Sequence, residues 1–200
     1  MIDIKNKIYI NDSLVNSEFS KKTEDFLLGW KMPYYLPKEN EEYSVSNKAY
    51  EEVIKKFKNN IVEGRQYCHH IVRKNESELA SPLIYDEIAT PIIKEIASFI
   101  KVDKIDVDRI KVNLQNPIFD SNKDKHNTPH IDDRKNHLAA IYYGNNSDGD
   151  TFFFENDKMI KRVNPINGRL VIFDGNIMHA GRHPINNPYR VVINFNFNLW

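Results

Sequence analysis

Residues 190–198 read RVVINFNFN, and apolar and polar side chains alternate along this stretch. Alternation with a period of two predicts a β-strand with one apolar and one mainly polar face. The polar face either meets solvent or lines a polar cavity inside a barrel. The apolar face holds Val191, Ile193, Phe195 and Phe197, and the other face holds Arg190, Val192, Asn194, Asn196 and Asn198.

The second half of the chain contains further stretches that are rich in β-branched and aromatic residues. Turn-forming clusters such as Asn-Asn-Ser-Asp-Gly separate them, and no helical pattern lies between. Short strands in this arrangement predict an antiparallel sandwich or barrel. The predicted strands are Ile110–Leu114, Leu138–Tyr143, Thr151–Glu155, Met159–Val163, Arg169–Phe173 and Arg190–Phe197.

The first half, residues 1–108, has a mostly helical pattern. Apolar residues between Ser46 and Gly64 recur at spacings of three and four, which predicts a helix that ends at Gly64. A second helix is predicted to begin at Ser81, and Pro91 is predicted to restart it as a separate helix. One apolar ridge along this region consists of Ile84, Ile88, Ile92, Ile96 and Ile100.

Before these helices, residues 26–40 combine aromatic residues with glycine and proline in the sequence FLLGWKMPYYLPKEN. This composition indicates a loop or a short strand that packs onto the core. Its aromatic residues Trp30, Tyr34 and Tyr35 are expected either to fill the core or to line a substrate groove.

Length and composition limit the possible functions. The 200 residues fit one domain, and 28 basic residues balance 28 acidic ones, which argues against nucleic-acid binding by phosphate neutralisation. A single cysteine, Cys68, excludes an intramolecular disulfide and a cysteine-based metal cluster. No apolar run approaches the roughly 18 residues of a membrane span, and no signal peptide is evident. A cytoplasmic location without membrane partners is therefore expected.

A histidine and a carboxylate in the second half are candidate metal ligands. His130 and Asp132 are two residues apart, so they would project from the same side of an extended segment. His179, after the apolar stretch LVIFD, is the candidate third ligand. Two histidines and one carboxylate form a facial triad that leaves three positions open on Fe(II). Arg190 is a candidate partner for a carboxylate because a guanidinium donates two parallel hydrogen bonds.

The order of these residues resembles that of the Fe(II)- and 2-oxoglutarate-dependent dioxygenases, in particular the prolyl-4-hydroxylase-like branch. The resemblance runs from about Arg109 to Phe197. It includes the segments RIKVNL, PHIDD, LAAIYYGN, DGDTFFFEN and VNPINGRLVIFDGNIMHAGRHP, with Asp150 where glycine or glutamate is more common in the family. It implies a mainly β fold, a double-stranded β-helix (jelly roll) with N-terminal helices packed on the larger sheet. Residues 1–200 would form one dioxygenase domain, with residues 1–108 supporting a jelly-roll core at 109–200.

The resemblance also implies a reaction and its participants. Oxidative decarboxylation of 2-oxoglutarate to succinate and CO₂ would be coupled to hydroxylation of an unactivated C–H bond. Fe(II), 2-oxoglutarate and O₂ would be required, with ascorbate as a further ligand. A prolyl residue in a peptide or protein is the expected substrate, and a small molecule is the alternative.

Particular residues acquire expected roles through the same resemblance. The iron ligands and catalytic residues would be His130, Asp132 and His179. The 2-oxoglutarate site would contain Arg190, Tyr143, Asn113 and Asn194. Substrate contacts are expected from Arg109, Trp30 and Tyr34.

Other candidate ligands are less well placed. His183 follows His179 at a spacing used for zinc on helices, but Gly181 and Pro184 argue against a helix there. Asp133 would point away from Asp132, and Arg182 is too close to His179 to reach the far end of a chelated dicarboxylate. His126 is expected in a solvated loop, and His137 is expected to begin a strand. Cys68 beside His69 has no evident third partner for nucleophilic catalysis.

Residues 115–129 are long and polar for a connecting segment, and we hypothesise that they form a lid that becomes ordered on substrate binding. Two other classes of function also remain open. A cupin-type metalloenzyme would share the jelly roll and the metal but would not need Arg190 and Tyr143. A non-catalytic β-sandwich binding module would contain no metal.

Overall fold

The fold is known from a computed structural model, which describes residues 2–36, 47–73, 79–133 and 135–198, without the side chains of residues 47–49. Antiparallel strands form its centre. They are β1 (Ile8–Asn11), β2 (Gln66–Val72), β3 (Asp106–Gln115), β4 (His137–Tyr143), β5 (Thr151–Glu155), β6 (Lys158–Val163), β7 (Leu170–Asp174), β8 (Met178–Gly181) and β9 (Arg190–Asn198).

Two sheets contain these strands. The larger sheet has six strands in the order β1-β7-β4-β9-β3-β2, and the smaller sheet has three in the order β6-β5-β8. All strand pairs within them are antiparallel. The arrangement is a jelly roll, and the predicted mainly β fold class is confirmed.

The six predicted strands are all present, with shifts of up to four residues at their ends. Residues 1–108 were predicted to be mostly helical. This prediction missed two strands, β1 and β2. β1 and β2 form the two outer edges of the larger sheet, where Ile8 pairs with Phe173 and Gln66 pairs with Gln115. β8, which carries the third predicted metal ligand, was also missed because it is only four residues long.

The helical segments are α1 (Ser17–Leu27), α2 (Asn47–Phe57), α3 (Pro82–Ile84), a π-helical turn (Tyr85–Ala89) and α4 (Thr90–Ile100). α2 ends at Phe57 rather than at the predicted Gly64. The chain leaves the helix there because its backbone bonds to a distant loop. His126 donates its N–H to the Asn60 carbonyl, and Val62 donates to the His126 carbonyl.

The predicted break at Pro91 is also wrong, because the helical segment continues from Pro82 to Ile100. Proline has no N–H to donate within a helix. The turn before it widens instead, and Thr90 donates to the carbonyl of Tyr85, five residues back. The apolar ridge predicted for this region is confirmed. All of its members, Ile84, Ile88, Ile92, Ile96 and Ile100, are buried.

The main hydrophobic core lies between the helices and one face of the larger sheet. The isoleucine ridge packs there with apolar residues of β3, β4 and β9, including Ile110, Leu138 and Phe195. The opposite face of the larger sheet looks toward the smaller sheet, where Ile141, Phe153 and Phe173 belong to a second core. Helices on one face leave the other face available for a cavity between the sheets. Within the described residues, no helix is both long and apolar enough to cross a membrane.

Candidate metal centre

Two predicted ligands meet because their backbones pair directly. His130 and His179 form an isolated antiparallel bridge, in which each N–H donates to the other's carbonyl at 2.9 Å. Their ring centroids are 4.9 Å apart. Residues 130 and 179 are far apart in sequence, so this bridge is what brings the two imidazoles together.

Asp132 completes the cluster between the two rings. Its Oδ1 is 3.8 Å from His130 Nε2, and its Oδ2 is 3.9 Å from His179 Nε2. One ligand atom from each of the three residues lies within 4.8 Å of the other two. Two imidazoles and one carboxylate at this spacing match the donor set of an open Fe(II) site.

The hydrogen bond made by Nδ1 of each histidine shows which ring nitrogen carries the proton. In both rings this leaves Nε2 able to bind a metal. Nδ1 of His130 is 3.1 Å from the Thr128 carbonyl, and Nδ1 of His179 is 3.2 Å from the Ile177 carbonyl. A carbonyl oxygen only accepts, so each Nδ1 carries the proton and each Nε2 keeps its lone pair. Burial lowers the pKa of His179 to about 4, so its ring is neutral at neutral pH. The residues therefore fit a divalent metal.

Asp132 is held in place by two further residues. Arg109 Nη2 lies 2.9 Å from Oδ1, and Asn196 Nδ2 donates to Oδ2 at 2.9 Å. Burial alone would raise the pKa of Asp132. The charge of Arg109 and the nearby histidines outweigh burial and hold that pKa well below its usual range. The carboxylate therefore stays ionised, as a metal ligand must.

A buried guanidinium lies at the other end of the same cavity. Arg190 is 4% exposed and donates to three neutral oxygens: the Gly149 carbonyl, Gln115 Oε1 and Thr151 Oγ1, at 2.6, 2.8 and 2.9 Å. Among the ion pairs of the described residues, none includes Arg190. A buried cation without a charged partner costs free energy, so this position favours binding of an anion.

Tyr143 contacts Thr151 and Arg190 from the core between the sheets. Its hydroxyl donates to Thr151 Oγ1 at 2.7 Å, and its ring lies 5.9 Å from the Arg190 guanidinium. Thr151 lines the cavity, whereas Tyr143 belongs to the core between the sheets. Because Tyr143 and Arg190 both donate to Thr151 Oγ1, the threonine's own hydroxyl hydrogen is available to a ligand.

The C-terminal part of the chain matches a known family. Residues 118–198 match the model of the 2OG-Fe(II) oxygenase superfamily, in which 2OG is 2-oxoglutarate. The match covers less than half of the chain and shows that this segment is similar to the superfamily. The superfamily's name gives Fe(II) and 2-oxoglutarate as its metal and co-substrate. The matched segment contains all three residues of the candidate metal centre as well as Arg190.

Solved structures share the protein's fold at low sequence identity. A prolyl hydroxylase from Trichoplax adhaerens, in complex with a hypoxia inducible factor peptide fragment, has a TM-score of 0.61 at 14% identity, covering 96% of this chain and 84% of that chain. A Pseudomonas putida prolyl-4-hydroxylase has a TM-score of 0.51 at 11% identity, with coverages of 98% and 94%. A Neurospora crassa protein, solved in complex with alpha-KG and thymine, has a TM-score of 0.54 at 14% identity, with coverages of 96% and 76%. No curated protein matches the chain.

The polar face of β9 lines the cavity at Arg190 and Asn194, which decides between the two interpretations of its alternation in favour of the cavity. Asn113 lines it from β3, so both predicted asparagines lie in its wall. Gln115 and Thr151 were missed as site residues. Gln115 lies two residues after Asn113 and therefore on the same face, and Thr151 lies in the quoted DGDT motif, so both could have been found.

The predicted substrate residues divide into two groups. Arg109 lines the cavity beside Asp132, whereas Trp30 and Tyr34 are not part of its lining. Trp30 is 90% exposed, so it does not fill the core. Tyr34 packs against the helix-side core and donates its hydroxyl to the Leu27 carbonyl at 2.9 Å, on the opposite face of the larger sheet from the cavity.

The other histidines and Arg182 lie outside the metal cluster. His126 is buried among Phe57, Phe152 and Phe154, so the prediction of a solvated loop position is wrong. His137 begins β4 as predicted. His183 is fully buried with Nδ1 against the Asn116 carbonyl, and Arg182 donates to the carbonyls of Asp120 and Asn122.

Proposed function

We propose that this protein is an Fe(II)- and 2-oxoglutarate-dependent dioxygenase that hydroxylates an unactivated C–H bond. The observation that carries the proposal is the pairing of two sites in one cavity. The first is the cluster of His130, Asp132 and His179, and the second is the buried Arg190 with only neutral acceptors. A cupin-type metalloenzyme or a binding module needs no carboxylate receptor of this kind.

The chain's own residues would position the metal and the 2-oxoglutarate and would supply charges that attract them. His130, Asp132 and His179 would hold Fe(II), which, when bound, supplies the activation of O₂ and the chelation of the 2-oxo acid. Arg190 would bind the distal carboxylate of 2-oxoglutarate through its fork of donors.

The neighbouring polar residues would complete the 2-oxoglutarate site. The Thr151 hydroxyl would donate a further hydrogen bond, and Tyr143 would fix the orientation of Thr151. Asn113 and Asn194 would contact the co-substrate from β3 and β9. Ascorbate would bind as an additional ligand.

The first candidate substrate is a prolyl residue in a peptide or protein. This candidate is supported by the similarity of the fold to two prolyl hydroxylases, one of them in complex with a peptide fragment. A small polar molecule is the second candidate. It is favoured by the cavity lining, in which Ile141 and Val192 are the only large apolar side chains among the described residues.

Formation of succinate tests the proposal without knowledge of the substrate. Protein incubated with Fe(II), 2-oxoglutarate and O₂ should convert 2-oxoglutarate to succinate slowly, as followed by NMR, and EDTA should stop the reaction. Arg190→Gln should raise the KM for 2-oxoglutarate about tenfold or more, because charge-assisted bonds are lost. Arg169→Gln is the matched control, since Arg169 pairs with Asp12 outside the cavity. Metal binding without succinate would refute the proposal and favour a cupin-type enzyme.

A further inference from the structure

Among the described residues, the guanidinium of Arg109 has partners along only one of its two edges. On the first edge, Nε donates to Asn196 Oδ1 at 3.0 Å and Nη2 contacts Asp132 Oδ1 at 2.9 Å. Asn196 in turn donates to Asp132 Oδ2. These three residues form a closed ring of hydrogen bonds, which fixes the plane of the guanidinium beside the metal cluster.

The second edge of Arg109 remains open. A guanidinium has five N–H donors, and the pair formed by Nη1 and the outer hydrogen of Nη2 presents two parallel bonds. None of the described residues accepts a hydrogen bond from Nη1. Arg109 lines the cavity, and its side chain is 23% exposed. A rigid fork therefore lies open to the cavity next to Asp132.

This fork is separate from the position proposed for 2-oxoglutarate. Arg109 pairs with Asn196 across β3 and β9, whereas Arg190 pairs with Gln115. Gln115 lies six positions after Arg109 on β3, which places the two pairs roughly 20 Å apart along the strand. 2-Oxoglutarate held by Arg190 and the metal therefore leaves the Arg109 edge available to a second ligand.

We infer that this open edge of Arg109 binds a carboxylate of the substrate that is oxidised. The inference rests on the proposed function and narrows its substrate class. A carboxylate matches two parallel N–H donors in a plane. A doubly charged phosphate fits less well, because Asp132 lies beside the same guanidinium and would repel it. The substrate then carries a free carboxylate, as a free amino acid or the C-terminal residue of a peptide does, and is not an internal residue of a protein.

Three matched sets of probes distinguish these sources. L-Amino acids represent free substrates, N-acetyl L-amino acids represent a peptide C-terminus, and N-acetyl L-amino acid carboxamides represent an internal residue. Binding of each to the Zn(II)-loaded protein saturated with 2-oxoglutarate is measured by ligand-observed NMR. At least one probe with a free carboxylate should bind about tenfold or more tightly than its carboxamide. Binding of the L-amino acids would identify a free substrate, and binding of the N-acetyl L-amino acids would identify a peptide C-terminus.

Arg109→Lys tests the residue itself. Lysine retains a positive charge for Asp132 but lacks the planar fork, so the preference for the carboxylate should fall about tenfold while carboxamide binding is unchanged. Asn198→Ala is the matched control, because Asn198 follows two residues later on β9 and bonds Asp106 at the surface rather than Arg109 or Asp132. That variant should keep the preference for the carboxylate.

The inference is overturned if no carboxylate probe binds, if carboxamides bind equally well, or if Arg109→Lys retains the full preference. The same spectra report 2-oxoglutarate binding through its own signals. Absence of those signals would contradict the proposed function, and the probes would then be compared on the Zn(II)-loaded protein alone. Intact 2-oxoglutarate binding without a carboxylate preference would contradict only the role of Arg109.

Discussion

Asp132 serves two sets of partners at once, and its two oxygens make this possible. Each carboxylate oxygen has two lone pairs. One on each oxygen accepts from Arg109 or Asn196, and the other faces a histidine Nε2. The carboxylate is therefore oriented before a metal arrives. A site that is already oriented loses less conformational freedom when it binds its metal.

Asn196→Ala should weaken metal binding, because Asp132 loses the donor that fixes one of its oxygens. Loss of such an outer partner typically costs about 10–100-fold in metal affinity. Titration with Co(II), followed by its visible spectrum, measures the change. Asn198→Ala is the control, since Asn198 follows two residues later on the same strand face and bonds Asp106 at the surface. Equal affinities in the wild type and Asn196→Ala would show that Asn196 does not position the ligand.

Arg190→Gln should remove the stabilisation that 2-oxoglutarate gives to the folded protein. A ligand that binds only the native state raises Tm in proportion to the logarithm of its concentration over its Kd. Thermal melts with Zn(II) and increasing 2-oxoglutarate should show a rise in Tm for the wild type that is greatly reduced in the variant. Arg169→Gln should respond as the wild type does. An undiminished rise in Arg190→Gln would place the 2-oxoglutarate carboxylate elsewhere.

The clustering of the candidate ligands could be predicted from sequence because strand periodicity determines which side chains share a face. His130 with Asp132, and Arg190 with Asn194, follow from this rule. Trp30 and Tyr34 were expected near the substrate, but they lie outside the cavity lining. Their placement depends on how a loop packs against distant helices, and local sequence pattern contains no information about that packing.

At the level of elements, the segment of residues 115–129 is bonded at several points. Asn127 donates its N–H to the Gly181 carbonyl, and Lys125 pairs with Asp120 at 2.8 Å. The fully buried Arg182 donates to the carbonyls of Asp120 and Asn122. The lid hypothesis stays a prediction: substrate should slow hydrogen exchange in this segment, and unchanged exchange would contradict it.

Arg182→Gln should loosen residues 118–127, because glutamine is too short to reach both carbonyls. Hydrogen exchange measured by mass spectrometry should become faster in peptides from this segment and stay unchanged in β4 and β9, which report on the intact fold. Lys123→Gln, a change at an exposed position in the same segment, should leave the rates as in the wild type. Unaltered exchange in Arg182→Gln would show that the arginine does not hold the segment.

The isoleucine ridge should account for a large share of the stability of the helical layer. Ile96 is fully buried against the larger sheet, so Ile96→Ala should lower the free energy of unfolding by about 2–5 kcal/mol. Leu83, on the same helical segment, is 69% exposed. Leu83→Ala should therefore change the free energy of unfolding by about 0.5 kcal/mol or less. Urea denaturation measures both. Similar values for the two variants would contradict the described packing.

Boundaries of elements were predicted less well than their existence. α2 ends early because Asn60 and Val62 bond with His126, a residue more than sixty positions away. Pro91 does not end its helix because a wider turn precedes it. β1 and β2 are stabilised by neighbours in the sheet that are distant in sequence. For α2, β1 and β2, tertiary contacts outweigh the local signal.

For the whole molecule, the jelly roll brings three separate parts of the chain to one cavity. The segment before β4 supplies His130 and Asp132, β8 supplies His179, and β9 supplies Arg190. The helices cover the outer face of the larger sheet, and its inner face is shared between the second core and the polar residues of the cavity. We propose that a metal and 2-oxoglutarate bind together in this cavity.

Anaerobic titration of the metal-free protein with Fe(II) and then 2-oxoglutarate tests this claim most directly. Chelation of the 2-oxo acid to Fe(II) should produce a visible charge-transfer band in the wild type. His179→Ala should abolish the band, and Arg190→Ala should require about tenfold or more 2-oxoglutarate to reach it. Tight Fe(II) binding with no band at any 2-oxoglutarate concentration would contradict the account.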